Sequence, residues 1–289
     1  MSKTFILFCI AALMASLAQA SLPFDTVFKG RSKFDQLVSE ADKWKALPLN
    51  ERTAAVGRAL CGTPYKSYTL EIDDHVEAPS VNLAGLDCWT FFETSLAFSR
   101  MLEEPKEKWT PETLLHYIEL DRYRNGQCTG SYLSRLHYLE DWLHDNDRRG
   151  MVDDLTRKLG GVRVPQSADE MTIHWRSYRY MRNNPSLRDG IHQMEEHVNE
   201  MGLYHIPKDH VASIESKIET GDIIGITTHD GSRIGTSHVG IAVRMPDGVH
   251  FMHASAPHNY GKVVLDTRLV DYLQRFRSDA GILVARPVK

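Results

Sequence analysis

The chain has 289 residues, of which 42% are hydrophobic and 25% are charged, a balance typical of globular proteins. It contains 34 Lys and Arg against 38 Asp and Glu, and no polybasic stretch stands out, which argues against nucleic acid as a partner. The length allows one large domain or two small ones.

The first twenty residues have the pattern of a secretory signal peptide. Lys3 supplies a positive charge, the segment from Phe5 to Leu17 is almost wholly apolar, and Ala18-Gln19-Ala20 has the small-x-small form of a cleavage site. An uncleaved membrane anchor is the alternative, but the apolar run is short for a bilayer span. We therefore predict a mature chain, 21–289, that is periplasmic or secreted and is not stably inserted in a membrane.

Removal of this segment leaves three cysteines, Cys61, Cys88 and Cys128. An odd number in an oxidising compartment means that at least one thiol stays unpaired or bonds to another chain. A bridge between Cys61 and Cys128 would leave Cys88 free, although the sequence alone does not establish that pairing.

The first half of the mature chain shows helical periodicity in its apolar residues. Gly62-Thr63-Pro64 is a stop signal for one of these helices, and Thr110-Pro111 provides a cap and a proline at the first helical position for another. The predicted helices, in chain order, span 34–44, 51–60, 87–102, 110–122 and 131–144.

The last third contains short runs rich in Val and Ile that are separated by Gly, Pro and Asp. Their short connections favour an antiparallel sheet, and helices followed by strands indicate an α+β fold in a single domain. Residues 145–220 are helical in places and are interpreted as a mid-chain insertion. The predicted strands span 222–228, 238–244, 249–254, 263–266 and 282–286.

The strongest local signal is Leu86-Asp87-Cys88-Trp89, which opens an apolar helix. A thiol in the first turn of a helix lies where the helix dipole and unpaired backbone amides favour negative charge. This position predicts a lowered thiol pKa and a nucleophilic Cys88, with nearby amides available to an oxyanion. The alternative is an inert buried cysteine, which is common in protein cores.

A base for this thiol is indicated by Ser237-His238-Val239-Gly240, where a polar histidine opens an apolar strand. Met245-Pro246-Asp247-Gly248 is typical of a hairpin turn. Either simple register places His253 on the same sheet face as His238 and about one diagonal away, so that it could orient His238. A bulge at Gly248 would change this register.

These motifs, in the order Cys, His, His, resemble the NlpC-type papain-like cysteine peptidases of bacterial cell walls. Three further stretches resemble the branch of that superfamily called N-acetylmuramoyl-L-alanine amidase-like. They are Ser134-Arg135-Leu136-His137-Tyr138, Gly221-Asp222-Ile223-Ile224-Gly225, and the C-terminal region from Gly261 to Pro287. Gly62-Thr63-Pro64-Tyr65 is similar to the lead-in to the nucleophile in the superfamily. The chain departs from the pattern at Trp89 and over 233–236, which bears on the shape of the pocket.

The resemblance implies a papain-like catalytic domain over 21–289, with the nucleophile at the start of a helix that packs on a small antiparallel sheet. It implies that Cys88 attacks, His238 accepts its proton and His253 orients His238. It further implies that Tyr65 lines the oxyanion side, and that Arg135 and His137 contact the substrate; an ordinary structural role on a helix surface is the alternative for these last two. The implied reaction is cleavage of the amide between N-acetylmuramic acid and L-alanine in peptidoglycan or muropeptides.

Three other functions remain open at this point. A stem-peptide endopeptidase cutting next to D-glutamate would use the same triad, and a non-enzymatic envelope-binding module could keep the fold without the activity. A zinc amidase is disfavoured, because His192 and His197 are five residues apart, about 140° around a helix, whereas zinc helices use a spacing of four. We therefore expect neither a metal nor another cofactor.

Overall fold

A computed structural model describes residues 22–165, 168–231 and 233–288. The signal peptide predicted over 1–20 lies outside these residues. The α-helices are α1 (Phe24–Val27), α2 (Arg31–Glu40), α3 (Leu49–Ala59), α4 (Cys88–Met101), α5 (Pro111–Arg122), α6 (Leu139–Arg148), α7 (Glu170–Ile173), α8 (Arg179–Asn183), α9 (Arg188–Met201), α10 (Val211–Ile214) and α11 (Leu269–Arg275). The strands are β1 (Phe28–Lys29), β2 (Val81–Asn82), β3 (Val152–Asp154), β4 (Val162–Val164), β5 (Leu203–Pro207), β6 (Ile223–Asp230), β7 (Arg233–Met245), β8 (Gly248–Ala254), β9 (Val263–Arg268) and β10 (Asp279–Pro287).

The main sheet is antiparallel, and its strands run in the order β4-β5-β10-β6-β7-β8-β9, with β3 also paired to β10. The prediction of a mixed fold with an antiparallel sheet is thus confirmed. Strands β3, β4 and β5 come from the region 145–220, so part of that region is built into the sheet. Within the described ranges, no helix is long and apolar enough to cross a membrane.

The predicted helices before residue 123 are confirmed, because each has strong local signals. Thr110 caps α5 by accepting a hydrogen bond from the Thr113 backbone, and Pro111 occupies the first helical position. The helix predicted over 131–144 is wrong in its first half. Residues 135–138 are extended there, since Leu136 donates its backbone N–H to the Arg122 carbonyl at 2.9 Å, and α6 begins only at Leu139.

Helix α4 is the central helix of the fold and packs against α3, α5 and β7. It is buried all round from Thr90 to Met101, including the charged side chain of Glu93. Glu93 accepts a hydrogen bond at 2.9 Å from Nε of Arg122 on α5, and both side chains are almost inaccessible to solvent. This ion pair links the helix that carries Cys88 to its neighbour.

Replacement of Arg122 by Met should destabilise the fold by about 3–5 kcal/mol, because it leaves the Glu93 carboxylate buried without its partner. Urea unfolding followed by circular dichroism measures the change. The control is Arg31→Met, which removes an exposed pair with Asp35 and should change stability by less than about 0.5 kcal/mol. Equal effects of the two substitutions would contradict the role given to the buried pair.

Candidate active site

Cys88 is the first residue of α4, and its position is set by a reciprocal cap. The Asp87 carboxylate accepts a hydrogen bond from the Thr90 backbone at 2.8 Å, while Thr90 Oγ1 accepts one from the Asp87 backbone at 3.0 Å. The predicted helix start at the cysteine is confirmed. The cap holds the thiol where the first free backbone amides of the helix converge.

The predicted lowering of the thiol pKa is wrong for this arrangement. Burial raises the pKa of the Cys88 thiol to about 12, and the neighbouring Asp87 carboxylate acts in the same direction. The backbone amides of Val239, Trp89 and Cys88 itself work against this rise but are outweighed. At neutral pH the sulfur is therefore a protonated thiol with backbone amide donors beside it.

His238 lies within β7, where the pairing with β6 is irregular. Ile226 pairs with His238 but Thr227 pairs with Thr236, so Ser237 is an extra residue in the strand. A bulge of this kind bends a strand and redirects the side chain beside it. The sequence prediction started this strand at His238, whereas the structure extends it back to Arg233.

The hairpin predicted between β7 and β8 is confirmed with a two-residue connection, since Met245 pairs with Gly248 and Ile241 with Met252. This register puts His253 diagonally across from His238 on the same face. His238 Nε2 and His253 Nδ1 are 2.7 Å apart, and the two rings are nearly perpendicular. Burial, together with the neighbouring His253, lowers the pKa of His238 to about 3, so His238 is neutral and able to accept a proton.

An acidic residue that the sequence interpretation did not single out lies behind His253. Asp266 Oδ2 is 3.3 Å from His253 Nε2, and Arg275 on α11 donates to both carboxylate oxygens at 3.0 and 2.9 Å. Burial raises the pKa of Asp266, but hydrogen bonds from His253 and Arg275 more than offset it and hold the pKa below its usual range. An Asp closing the apolar run Val263-Val264-Leu265 was the available sequence signal.

Cys88 and His238 open onto the same cavity, whose volume is about 620 Å³. Trp89, Arg135 and His137 also line it. The structure therefore brings together four of the six predicted site residues at the cavity wall, with His253 directly behind His238. The two histidines and the cysteine come from segments about 150 residues apart in the chain.

Tyr65 lies next to Cys88 but is not among the described residues that line the cavity. Its backbone pairs with Leu86, two residues before the start of α4. Burial raises the pKa of its hydroxyl to about 12, with the Cys88 and Asp87 charges adding to the rise. Tyr65 is consequently a neutral donor beside the thiol.

Arg135 lies at the cavity wall in an extended segment rather than on a helix, and its guanidinium is already engaged. It donates two hydrogen bonds to Glu77, at 3.0 and 2.6 Å, and lies 3.6 Å from Glu71. Its guanidinium also stacks on the ring of Tyr132, with 4.7 Å between the guanidinium carbon and the ring centroid. The arrangement makes Arg135 a rigid part of the wall.

The His137 ring lines the cavity in a single protonation state and tautomer. Burial and the charge of Arg135 lower its pKa to about 3, so the ring is neutral. Its Nε2 is 2.9 Å from the Tyr132 carbonyl oxygen, which can only accept, so the proton is on Nε2. Nδ1 is therefore left as a hydrogen-bond acceptor.

Part of the region 145–220 also lines the cavity, through Glu170, Met171 and Tyr178. Buried Glu195 on α9 holds this wall, accepting hydrogen bonds from the Met171 backbone at 2.9 Å and from the Tyr138 hydroxyl at 2.6 Å. The region interpreted as an insertion thus contributes both strands to the sheet and a wall to the site.

Cys61, Cys88 and Cys128 are all free thiols, so the conditional pairing of Cys61 with Cys128 is not present. His192 lies beside Glu196 on the surface of α9, at 3.6 Å. In the ranges 22–165, 168–231 and 233–288, no group of three or more His, Cys, Asp or Glu side chains is arranged to hold a metal ion.

Comparison with known proteins identifies solved structures that resemble most of this chain. A structure of an N-acetylmuramoyl-L-alanine amidase from Bacteroides uniformis is 28% identical, with a TM-score of 0.74 over 83% of this chain and 99% of that one. A Bacteroides fragilis protein provisionally described as a xylanase is 32% identical, with a TM-score of 0.69 over 80% of this chain and 99% of that one. A Legionella pneumophila protein shares the fold at 20% identity, with a TM-score of 0.66 over 90% and 95% of the two chains.

A search of curated proteins found no match. The model of one protein family, described as AmiA-like and N-acetylmuramoyl-L-alanine amidase-like, matches residues 55–282. That match spans the helix with Cys88, the cavity and the strands with His238 and His253. The chain belongs to the AmiA-like, N-acetylmuramoyl-L-alanine amidase-like family.

Proposed function

We propose that the protein is a cysteine amidase that hydrolyses the amide joining the lactyl group of N-acetylmuramic acid to L-alanine in peptidoglycan or muropeptides. The observation that carries the proposal is the convergence of Cys88 and His238 on one cavity, with His253 hydrogen-bonded behind His238 at 2.7 Å. Membership of the family and the name of the Bacteroides uniformis neighbour support the choice of bond.

In this mechanism the thiol loses its proton as it attacks. The S–H bond of Cys88 breaks while the proton passes to Nδ1 of His238, and the sulfur forms a bond to the substrate carbonyl carbon. His238 then gives the proton to the departing amine, which releases L-alanine with its stem peptide. Water hydrolyses the remaining thioester with His238 again as base, and no metal or other cofactor takes part.

The negative charge on the carbonyl oxygen needs donors in a water-poor site. The backbone amides of Trp89 and Val239 already face the Cys88 sulfur, and the neutral hydroxyl of Tyr65 lies beside it. We assign the oxyanion to these amides, with Tyr65 in support. Substrate binding is assigned to His137, whose Nδ1 accepts an N–H group, on a wall kept rigid by Arg135 and Glu77.

The proposal extends to the fold, the domain organisation and the localisation of the chain. The helix-borne thiol packed against antiparallel strands supports a papain-like core of the NlpC type, forming one catalytic domain over 21–289. The signal-like segment 1–20 supports export to the periplasm or beyond, which is where peptidoglycan is found.

Digestion of purified muropeptides followed by mass analysis tests this function. The expected products are the free sugar moiety and an intact stem peptide. The matched control substrate is the free stem peptide, which lacks the lactyl amide and should remain uncut. Shortened stems from either substrate would instead identify an endopeptidase acting next to D-glutamate, and separated sugars with the peptide still attached would identify a glycosidase.

A further inference from the structure

A hydrogen-bonded chain extends from His238 through the buried residues His253 and Asp266 to Arg275 on α11. It runs from His238 to His253 at 2.7 Å, from His253 to Asp266 at 3.3 Å, and from Asp266 to Arg275 through two contacts of 3.0 and 2.9 Å. His253 and Asp266 are only 2% and 7% exposed. Water therefore has little access to the interior links of the chain.

The fold builds this chain from four neighbouring elements, β7, β8, β9 and α11. His253 pairs with Val264, and Asp266 is two residues further along β9, on the same face. The register between β8 and β9 shifts beyond Met252–Leu265, which marks a bulge at the position of Asp266. Such a bulge redirects a side chain, here toward His253.

We propose that Asp266, held by Arg275, is a positioning residue that sets the direction of every hydrogen bond in this chain, so that His238 presents an unprotonated Nδ1 to Cys88. The inference rests on the proposed function only for the use made of that nitrogen. Asp266 does not contact the cavity; it acts through His253.

The direction follows from what each group can donate. An ionised carboxylate only accepts, so the proton of neutral His253 is on Nε2 and its Nδ1 is an acceptor. That acceptor takes the proton on Nε2 of His238, which leaves Nδ1 of neutral His238 with a lone pair. If the hydrogen bond between His253 and Asp266 were reversed, the one between His238 and His253 would reverse as well. Nδ1 of His238, the nitrogen that has to act as the base, would then carry a proton.

Arg275 has a separate task in this arrangement. Its two hydrogen bonds balance the Asp266 charge and hold the carboxylate in place, so that Oδ2 accepts a hydrogen bond from His253.

Two tyrosines from neighbouring segments contact this chain. The Tyr260 hydroxyl is 3.4 Å from Asp266, and the Tyr272 ring packs against both histidines. Burial raises the pKa of Tyr272, with Asp279 on β10, Asp266 and Cys88 on α4 adding to the rise, so its hydroxyl stays neutral. Burial likewise raises the pKa of Asp279, to about 6.

Asp266→Asn is the discriminating variant. The Thr267 backbone N–H donates to Asp266 Oδ1 at 2.7 Å, and Arg275 donates to the same oxygen at 2.9 Å. Both groups can only donate, so the amide oxygen should take the Oδ1 position and the amide NH₂ should face His253. The chain is then reversed, and kcat should fall by roughly 10²–10⁴-fold with KM little changed, as expected when an orienting group selects the wrong tautomer. Asp271→Asn, on the exposed side of the same helix α11, is the matched control and should leave kcat unchanged.

The variant Asp266→Ala separates orientation from simple structural support. It removes the carboxylate without placing a donor opposite His253 Nε2, so the chain is not reversed and kcat should fall less than in Asp266→Asn. A purely structural role predicts that Asp266→Ala, which removes the whole carboxylate, is less active than Asp266→Asn, and that result would overturn the inference.

Nitrogen NMR of the protein labelled at histidine reads the tautomers directly and needs no substrate. In the unaltered protein His238 and His253 should both carry the proton on Nε2, and in Asp266→Asn both should carry it on Nδ1. A proton on Nδ1 of His238 in the unaltered protein, or the same tautomers in both proteins, would refute the inference whatever reaction the enzyme performs. Conversely, the expected tautomers without amidase activity would leave the inference standing and remove the proposed function.

Discussion

Replacement of Cys88 by Ala should reduce muropeptide amidase activity by at least about 10⁴-fold, because it removes the sulfur that forms the covalent intermediate in the proposed mechanism. The thiol lies at the cavity wall, surrounded by the backbone amides of Trp89 and Val239. Removal of one sulfur from a half-buried position should leave the fold intact. Release of the stem peptide, followed by mass analysis, measures the loss.

The other two free thiols provide matched controls for this variant. Cys61 is exposed beyond the end of α3, and Cys128 lies on a different surface pocket next to Glu77. Cys61→Ala and Cys128→Ala should each retain close to full activity. A Cys88→Ala protein that kept more than a tenth of the activity, or an equal loss in all three variants, would rule out Cys88 as the nucleophile.

Replacement of His238 by Ala should lower kcat/KM by roughly 10²–10⁴-fold, the range typical of a general base, and should change its pH dependence. The His238 pKa of about 3 and the Cys88 pKa of about 12 mean that the neutral pair is present throughout the range between them. In the unaltered enzyme these two groups therefore predict a flat kcat/KM from roughly pH 5 to 9.

Without His238 the thiol has to lose its proton to hydroxide. Because the thiol pKa is raised, the reactive thiolate is scarce at neutral pH, and the residual rate should increase by about tenfold for each pH unit up to pH 9. His192→Gln, on the exposed face of α9, is the control and should keep both the rate and the flat profile. A bell-shaped profile near pH 6 in the unaltered enzyme would contradict the neutral pair.

The helix start at Cys88 could be predicted from sequence because its causes are local. Asp87 and Thr90 are three residues apart, the spacing of a reciprocal cap, and an apolar run follows them. The pairing of His238 with His253 was predictable for a similar reason, since a two-residue turn at Pro246-Asp247 determines the register of the hairpin.

Arg135 shows where local reasoning fails. The segment from Ser131 to Tyr138 reads as helical, but Leu136 pairs with the Arg122 backbone and Arg135 binds Glu77, which is 58 residues earlier in the chain. Contacts of this kind form only once distant segments have been brought together. They outweigh a helix propensity that amounts to less than about 1 kcal/mol per residue.

By itself, the sequence determined where Cys88, His238 and His253 lie on their helix and strands, because caps, turns and periodicity act over a few residues. Only the tertiary structure decided the protonation of the site. Burial reversed the expected direction of the Cys88 pKa, and the folding of β9 and α11 placed Asp266 and Arg275 behind His253. Desolvation and hydrogen-bond direction depend on everything that surrounds a group, and for these residues the surroundings come from parts of the chain that are far apart in sequence.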